Sequence, residues 1–414
     1  MEKLRYIIIG AGGAGITAAE TIREYDHESE IIMISNEDTP PYSACLLCHY
    51  ILNEEERDVI FWKGKDFFNL MNTNPILGEE VKSIQPESKK VLVNSDSVDY
   101  DKLLIAAGGL VDLPDIKGLE TKGVFTFKTL TDTDNIYNWL NTEKVEKAVI
   151  IGGGFIGLDA AEGLKKKNID VTIVEALDRV LPRMLDREMG DLAKEILEEN
   201  HINLLLKNNI SKIEGKKRVN NVKLEDGTVL DADIVIIATG IKPNLDFLRD
   251  SGIKTNSGII VNEYLETNIP DIFAAGDIAE SVNISTGNRE SILLWSNALT
   301  QGSIAGYNMV GRKTKYDGSA IQTLIKVFGT PIISDGVYEG EELKIFKDNI
   351  YKKMYIQNSI VNGYMLINTM QNAGLYHSLM ITKRDISEYK NLILKDRFNI
   401  GMVETKAAML QEIY

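Results

Sequence analysis

Two short apolar runs in this chain each enter a glycine-rich turn. In the first, a strand predicted over Arg5–Ile9 leads into Gly10–Gly15, with the sequence GAGGAG, and a small-residue helix is predicted over Ile16–Tyr25. The next strand is predicted over Glu30–Ser35. This order is typical of a dinucleotide-binding βαβ unit, because the glycines admit a pyrophosphate close to the backbone and the helix N-terminus offers amide donors.

The same pattern returns in the middle of the chain. A strand over Lys147–Ile151 enters Gly152–Gly157, with the sequence GGGFIG, and a helix over Leu158–Lys166 and a strand over Asp170–Val174 are predicted to follow. The last strand ends at Glu175. A carboxylate at this point accepts hydrogen bonds from both ribose hydroxyls and repels a 2′-phosphate, so this unit favours NADH over NADPH.

The residues that follow the second strand differ between the two units. In the first unit Ser35 occupies the place of the ribose-binding acid, and Glu37 is the best substitute, with a solvated turn acid as the alternative. In the second unit Arg179 lies close enough to Glu175 to leave NADPH as an alternative. The pattern therefore predicts two nucleotide sites of unequal completeness.

The rest of the chain alternates between short strands and helical segments. Residues 53–74 read as mixed and helical, and a linker is expected around residues 110–123. A long helix is predicted over Trp295–Val310, and the chain turns β-rich from Thr323 before it ends in helical segments. The other predicted strands lie within residues 81–101, 100–109, 203–233, 234–238, 259–261 and 272–274.

The charge balance restricts the possible partners. Lys and Arg total 46 against 61 Asp and Glu, for a net charge of −15. Nucleic acid is not an expected partner, since binding it requires a basic face. No apolar run reaches the roughly 20 residues of a membrane span, and the start MEKLRYIII lacks the pattern of a signal peptide. We expect a cytoplasmic protein without a membrane partner.

Both cysteines lie in one stretch, residues 39–51, with the sequence TPPYSACLLCHYI. Cys45, Cys48 and His49 spell C-x-x-C-H, the spacing of c-type haem attachment, and also C-x-x-C, a redox dithiol. Three ligands are too few for a structural zinc site, so no metal is expected. We expect Ser43 to cap a helix that has Cys45 in its first turn and Cys48 on the same face.

Longer motifs accompany the two glycine turns in a fixed order. They are YDKLLIAAG from Tyr100, VEALDRVLPR from Val174, ATGIKPN from Ala238 and IFAAGD from Ile272. Together with the turns, they resemble the pyridine nucleotide-disulfide oxidoreductase superfamily of two-dinucleotide-binding-domain flavoproteins. The motif SNEDTPPYS, from Ser35, is similar to the branch that holds NADH:rubredoxin reductase, ferredoxin reductase and the nitrite reductase flavoprotein.

This resemblance implies the fold and its division into domains. The fold would be α/β, with two Rossmann-like dinucleotide-binding domains, for FAD and for NAD, and a C-terminal α+β interface domain. The FAD-binding domain would be discontinuous, with residues 1–112 and 241–320. The NAD-binding domain would span residues 113–240, and the interface domain residues 321–414.

The resemblance also implies roles for individual residues. Glu37 would bind the FAD ribose, and Asp277 the ribityl chain. Phe155 takes the place of the aromatic residue that gates the nicotinamide pocket over the flavin, and Asp159 stands where a Glu near the nicotinamide amide is frequent. The other candidate cofactor-binding residues are Gly10, Gly12 and Gly15 for the FAD pyrophosphate, Gly152, Gly154, Gly157 and Glu175 for NAD, and Ala107, Gly240 and Gly276.

The implied activity is that of an FAD-dependent NADH:acceptor oxidoreductase. A flavin accepts two electrons at once and releases them singly. The chain would pass electrons between NADH and an iron–sulfur electron-transfer protein or partner subunit, in either direction, as a homodimer or as part of a larger redox complex. One alternative is a single-cysteine NADH oxidase, peroxidase or coenzyme A-disulfide reductase using Cys45. A non-catalytic nucleotide-binding scaffold is a remote alternative.

The resemblance does not extend to disulfide reduction of the glutathione reductase type. Those members carry C-x-x-x-x-C and a C-terminal His–Glu pair, whereas this chain has C-x-x-C. His377 stands alone in the segment GLYHS, so it is predicted to be a surface or packing residue.

Overall fold

The chain folds into two compact units. The computed structural model describes residues 3–52 and 57–403, apart from the side chains of His49 and Leu52. The first unit contains the described residues of 1–112, 128–137 and 240–319, and the second contains those of 113–127, 138–239 and 320–414. The three-domain division expected above stays a prediction.

The strands are short and are arranged in small sheets. In chain order they are β1 (Arg5–Ile9), β2 (Glu30–Ser35), β3 (Asn74–Leu77), β4 (Val81–Gln85), β5 (Lys90–Val93), β6 (Asp96–Asp99), β7 (Lys102–Ile105), β8 (Gly109–Val111), β9 (Val124–Thr126), β10 (Lys147–Ile151), β11 (Asp170–Glu175), β12 (Asn203–Leu206), β13 (Ile210–Glu214), β14 (Asn221–Leu224), β15 (Val229–Asp231), β16 (Ile234–Ile237), β17 (Ile241–Pro243), β18 (Ile259–Ile260), β19 (Ile272–Ala274), β20 (Ala279–Val282), β21 (Arg289–Ser291), β22 (Thr323–Val327), β23 (Thr330–Gly336), β24 (Glu341–Lys347), β25 (Ile350–Gln357) and β26 (Ile360–Ile367).

The helices of the two glycine turns begin three residues earlier than predicted. The turn residues Gly13 and Phe155 are already helical, because each glycine turn continues directly into the first turn of its helix. The helices are α1 (Gly13–Tyr25), α2 (Leu47–Leu52), α3 (Phe67–Leu70), α4 (Leu130–Thr142), α5 (Phe155–Lys166), α6 (Arg187–Glu199), α7 (Trp295–Met309) and α8 (Ala373–Ile381), and 3-10 turns cover Ala44–Leu46, Arg57–Ile60 and Asp246–Leu248.

The first unit is built on a parallel sheet with the strand order β19-β7-β1-β2-β3. Its central strands carry continuous apolar runs, Tyr6–Ile9, Ile31–Ile34 and Leu103–Ile105, and all of these residues are buried. Strands covered on both faces need apolar residues at every position rather than at alternating ones. The glycine turn after β1 therefore emerges at the carboxyl end of the sheet, where doubly wound folds bind dinucleotides.

Close packing of α7 on α1 completes this unit. A Cβ atom added at Gly302 of α7 would lie 2.2 Å from the carbonyl oxygen of Ala14, and one added at Gly306 would lie 2.8 Å from Cβ of Thr21. These glycines therefore let the two helices approach closely, and α1 is held firmly beneath its glycine turn.

The second unit repeats the parallel arrangement, with the strand order β12-β11-β10-β16-β9. It also contains an antiparallel sheet with the order β22-β23-β26-β25-β24, against which α8 packs. The prediction of an α/β fold with two Rossmann-like sheets and a C-terminal α+β part is confirmed.

A buried lysine ties the start of α6 to the antiparallel sheet of the same unit. Lys353, on β25, is 3% exposed, and its ammonium lies 2.5 Å from Asp186, 2.7 Å from Glu188 and 3.0 Å from Glu342. Asp186 also caps α6, since its Oδ1 accepts from the Met189 N–H at 2.9 Å. Burial opposes the charge of Lys353, but the three carboxylates outweigh it and raise the pKa of the lysine.

Two segments differ from their predictions. Residues 53–74 were expected to be mixed and helical, but Asn74 begins β3, the fifth parallel strand of the first sheet, and residues 53–56 lie outside the described part. The expected linker at residues 110–123 begins inside β8, which pairs antiparallel with β17. Both strands are too short to show a recognisable hydrophobic period in the sequence. Only their pairing with neighbouring strands defines them.

His377, predicted to be a surface or packing residue, has an acidic partner that its sequence neighbours do not indicate. Its Nδ1 lies 2.6 Å from Oδ2 of Asp335, a fully buried residue on β23. The hydrogen bond that the Asp335 carboxylate accepts raises the pKa of His377. The partner lies on a strand far away in sequence, which is why the residues around His377 gave no sign of it.

Protonated His377 is expected to stabilise the fold through this pair. Because the folded pKa lies above the unfolded value of 6.5, the contribution is fully present below about pH 6.5 and is lost as pH rises through the folded pKa. His377→Gln should lower the free energy of unfolding by about 1–2 kcal/mol at pH 6, measured by urea unfolding of the holoprotein, and by less at pH 9. His27→Gln, at an exposed position, is the control. An equal loss at both pH values would contradict the prediction.

Candidate functional site

The two glycine turns have nearly the same backbone geometry. The first glycine of each, Gly10 and Gly152, has φ of +109°. Its N–H donates to a carbonyl oxygen of the strand that follows the helix, β2 or β11, at 2.8 Å. An added Cβ atom would lie 2.2 Å from the carbonyl oxygen of Ala106 at Gly10, and 2.4 Å from that of Ala238 at Gly152. Only glycine fits these two positions without moving the backbone.

The third glycine of each turn lets the helix approach the turn. The second glycine leaves open space beside the backbone. A Cβ atom at Gly15 would lie 1.9 Å from the carbonyl oxygen of Gly10, and one at Gly157 would lie 2.0 Å from that of Gly152. At Gly12 and Gly154 an added Cβ would meet nothing within 4 Å. Each turn therefore presents an open backbone edge at a helix N-terminus, which suits a pyrophosphate.

Each glycine turn forms a cradle with the N-terminus of the helix that follows it. Glu175, at the end of β11, lies beside the second cradle. Its carboxylate is 8% exposed, and it accepts from the Gly153 N–H at 2.6 Å and from the Leu177 N–H at 2.8 Å. The acid is thereby fixed beside the glycine turn while each oxygen keeps a lone pair. This placement suits acceptance from ribose hydroxyls.

Arg179 is engaged in its own loop. Its guanidinium donates to the carbonyl oxygens of Leu185 at 2.9 Å and Pro182 at 3.3 Å, and pairs with Asp178 at 2.6 Å. The aliphatic part of Arg179 also packs against Gly190. A 2′-phosphate would have to break these contacts to recruit the side chain, and the preference for NADH stays a prediction.

The first cradle holds its acid in a different way. Ser35 is buried at the end of β2, and its hydroxyl accepts from the Glu37 N–H at 3.2 Å. The Glu37 carboxylate accepts from the Tyr42 hydroxyl at 2.8 Å. Burial raises the pKa of Glu37, and the Tyr42 hydrogen bond and the charge of Lys128 oppose that shift.

Asp277 lies beside the same cradle. Cβ of Ala14, in the first turn of α1, lies 3.1 Å from where Gly276 would carry a Cβ, and the Gly276 N–H donates to Gln301 at 2.7 Å. Burial raises the pKa of the Asp277 carboxyl. Within residues 3–52 and 57–403 no hydrogen bond to this carboxylate is present, so it can accept from a polyhydroxyl chain.

Lys128 is a candidate residue that sequence reasoning missed. Its charge lowers the pKa of both Glu37 and Asp277, so one cation lies near the two acids of the first cradle. The linker around Lys128 carries no motif of its own. Its neighbours Thr129 and Asp132 form a reciprocal cap of α4, which is a recognisable helix start and could have directed attention to the segment.

The remaining candidates are distributed around the two turns. Ala107 follows β7 and contacts the position of a Gly10 Cβ, and Gly240, with φ of +109°, accepts from the Asp112 N–H through its carbonyl. Phe155 and Asp159 are half-buried on α5 and are spaced to share a helix face. These positions agree with cofactor contacts, and their individual roles stay predictions.

The cysteine stretch departs from its prediction. Cys45 lies in the 3-10 turn Ala44–Leu46, and the Ser43 side chain makes no cap hydrogen bond. The helix α2 begins later, with Cys48 in its first turn. Cys45 is exposed and Cys48 is half-buried, and the side chain of His49 lies outside the described part.

Among residues 3–52 and 57–403, no three or more His, Cys, Asp or Glu side chains are grouped to hold a metal ion. Across the same residues, every helix is too short or too polar to cross a bilayer.

The chain matches the family model described as pyridine nucleotide-disulphide oxidoreductase over residues 4–302. It is 32% identical over 397 residues to the NAD(P)H nitrite reductase of Bacillus subtilis, across 94% of this chain and 48% of that protein. It therefore spans about half the length of that relative. It is 26% identical over 411 residues to subunit epsilon of the NADH-dependent phenylglyoxylate dehydrogenase of Aromatoleum evansii, across 97% of both. The structure of an NAD-dependent persulfide reductase from A. fulgidus superposes with a TM-score of 0.87 at 28% identity, across 94% and 79% of the two chains.

Replacing Glu175 tests the second cradle. Glu175→Gln should lower kcat/KM for NADH by about tenfold or more, because hydrogen bonds to a charged acceptor are lost. The value for NADPH should stay below that for NADH, because Arg179 remains held by its own loop. Rates with ferricyanide as acceptor measure both, and Glu199→Gln, at an exposed position on α6, is the control. A variant that prefers NADPH would show that Arg179 is available to a 2′-phosphate.

Proposed function

Since this chain belongs to the pyridine nucleotide-disulphide oxidoreductase family, whose cofactors FAD and NAD(H) are therefore its own, we propose that it passes electrons between NADH and an iron–sulfur electron-transfer protein or subunit. The family comprises NAD(P)H-dependent flavoprotein oxidoreductases. The one-electron partner and its iron–sulfur chemistry are the new part of this proposal.

The observation that carries the proposal is the presence of two glycine cradles, each with an ionisable acid beside it. Glu175 ends its strand and Glu37 stands two residues beyond the corresponding strand, and both cradles have the open second glycine that a pyrophosphate requires. When bound, FAD accepts a hydride from NADH and releases electrons one at a time. Two nucleotide sites are sufficient for that exchange.

The residues divide their tasks between the two cradles. Gly10, Gly12 and Gly15 admit the FAD pyrophosphate, Glu37 accepts from its ribose and Asp277 from its ribityl chain, with Lys128 balancing the two carboxylates. In the second cradle the glycines and Glu175 hold NADH. Phe155 and Asp159, on one face of α5, line the nicotinamide end of that cradle.

The relatives support a partner that carries electrons. Subunit epsilon of phenylglyoxylate dehydrogenase has nearly the same length as this chain and is, by its name, one subunit of an NADH-dependent enzyme. The nitrite reductase continues well beyond the matched part, so its acceptor site need not lie in the region that this chain shares. Both cases suit a flavoprotein module that serves a second redox component.

Anaerobic titration with NADH tests the proposal. The holoprotein should be fully reduced at about one NADH per FAD, because the flavin is the only two-electron store the proposal uses, and the absorbance of oxidised flavin measures this. Ferricyanide, a one-electron oxidant of higher potential than the flavin, should then reoxidise the flavin or serve as acceptor in turnover. Absence of flavin reduction would leave the scaffold alternative, and uptake of about two NADH with a long-wavelength band would indicate a redox thiol.

A specific observation favours a second candidate, thiol chemistry at Cys45. This cysteine is exposed on a 3-10 turn of the unit that carries the FAD cradle, and the persulfide reductase from A. fulgidus has a closely similar fold. A thiolate there can attack the S–S bond of a disulfide or persulfide, release one sulfur as thiolate or hydrosulfide and form a new disulfide, which the two electrons of NADH then reduce through the flavin.

Cys45→Ser separates the two candidates. Under the main proposal the variant keeps both its NADH:ferricyanide rate and any turnover of sulfur substrates, because electrons leave from the flavin. Cys48→Ser is the matched control, since Cys48 is half-buried in α2. Loss of persulfide or coenzyme A-disulfide turnover in Cys45→Ser alone, with the ferricyanide rate retained, would establish the second candidate.

A further inference from the structure

Tyr42 makes the closest side-chain contact to the Glu37 carboxylate. Its hydroxyl lies 2.8 Å from Oε2 and 3.1 Å from Oε1. The same hydroxyl accepts from the Leu130 N–H at 3.0 Å, at the start of α4. A phenol that accepts from an amide at a helix N-terminus becomes a stronger donor through its own O–H, because linked hydrogen bonds polarise one another.

We propose that Tyr42 is a positioning residue for FAD. Its hydroxyl holds the Glu37 carboxylate ionised and directed at the adenosine ribose. The inference rests on the proposed role of Glu37 in binding FAD. It assigns to the phenol the task that backbone amides perform for Glu175 in the second cradle, where Gly153 and Leu177 donate. The acid of the first cradle stands two residues beyond the strand end, where the phenol acts on it together with the Leu130 amide.

The charges around Glu37 make its protonation the sensitive point. Burial raises the pKa of this carboxyl, the Tyr42 hydrogen bond and the Lys128 charge lower it, and Asp132 on α4 raises it. Tyr42 itself stays protonated, because burial and the Glu37 charge raise the pKa of its phenol. An ionised carboxylate accepts from two ribose hydroxyls at once, whereas in a protonated carboxyl group one oxygen carries a hydrogen. The affinity for FAD therefore follows the fraction of Glu37 that is ionised.

Tyr42→Phe removes the hydroxyl and keeps the ring. The dissociation constant for FAD should rise by about tenfold at pH 7, measured by diluting the holoprotein and recording the fluorescence of released FAD. The rise should be larger at pH 5, because loss of the hydrogen bond raises the pKa of Glu37 and a larger fraction becomes neutral. Tyr50→Phe is the matched control, since the Tyr50 hydroxyl donates to Asp134 at 2.7 Å in the same unit. The control should change FAD affinity by less than about twofold.

A double-mutant cycle with Glu37→Gln tests whether Tyr42 acts through Glu37. Glu37→Gln alone should weaken FAD binding, and adding Tyr42→Phe should cause little further loss. Additive losses, an equal loss in Tyr50→Phe, or a Tyr42→Phe effect that is the same at pH 5 and pH 8 would overturn the inference, because each assigns Tyr42 to stability alone.

The same measurements separate this inference from the proposed function. If Glu37→Gln binds FAD as tightly as the wild type, Glu37 is not a FAD ligand, and both that assignment and the inference fail. If Glu37→Gln weakens FAD binding while Tyr42→Phe does not, only the role of Tyr42 fails.

Discussion

The approach of a helix to a glycine carbonyl is the contact on which both nucleotide sites depend. In each unit the third glycine of the turn lies so close to the carbonyl oxygen of the first that any side chain would collide with it. This contact sets the first helix directly against the end of the first strand. The helix N-terminus, the open second glycine and the acid of the next strand then meet at one edge of the sheet, where a pyrophosphate is favoured.

The two cradles share this backbone but hold their acids differently. Glu175 ends its strand, so the amides of Gly153 and Leu177 reach its carboxylate and fix it. Glu37 stands beyond its strand, and its main donor is a phenol that is itself held by a helix start, with the Leu130 amide beside it. Backbone amides are a permanent part of the turn, whereas a single side chain can be removed by one substitution. The first cradle is therefore the more sensitive of the two to changes outside the glycine motif.

The antiparallel sheet of the second unit depends on charges that find partners within that unit. Lys353 satisfies three carboxylates, one of which also caps α6. Asp335, fully buried, pairs with His377. Breaking such pairs leaves a charge without compensation in a low dielectric, which costs far more than the pair itself contributes. These contacts fix how the sheet packs against α6 and α8.

The sequence alone determined the repeated strand–turn–helix units, the acid at Glu175 and the parallel sheets, because these follow from local spacing and from continuous apolar runs. The short strands β3 and β8, the pairing of His377 and the proximity of Lys128 to two acids were decided only by the tertiary structure, since each depends on a partner distant along the chain. The turn at Cys45 belongs to the same class. Local capping chemistry predicted a helix there, but the Ser43 side chain makes no cap hydrogen bond and the chain forms a 3-10 turn instead.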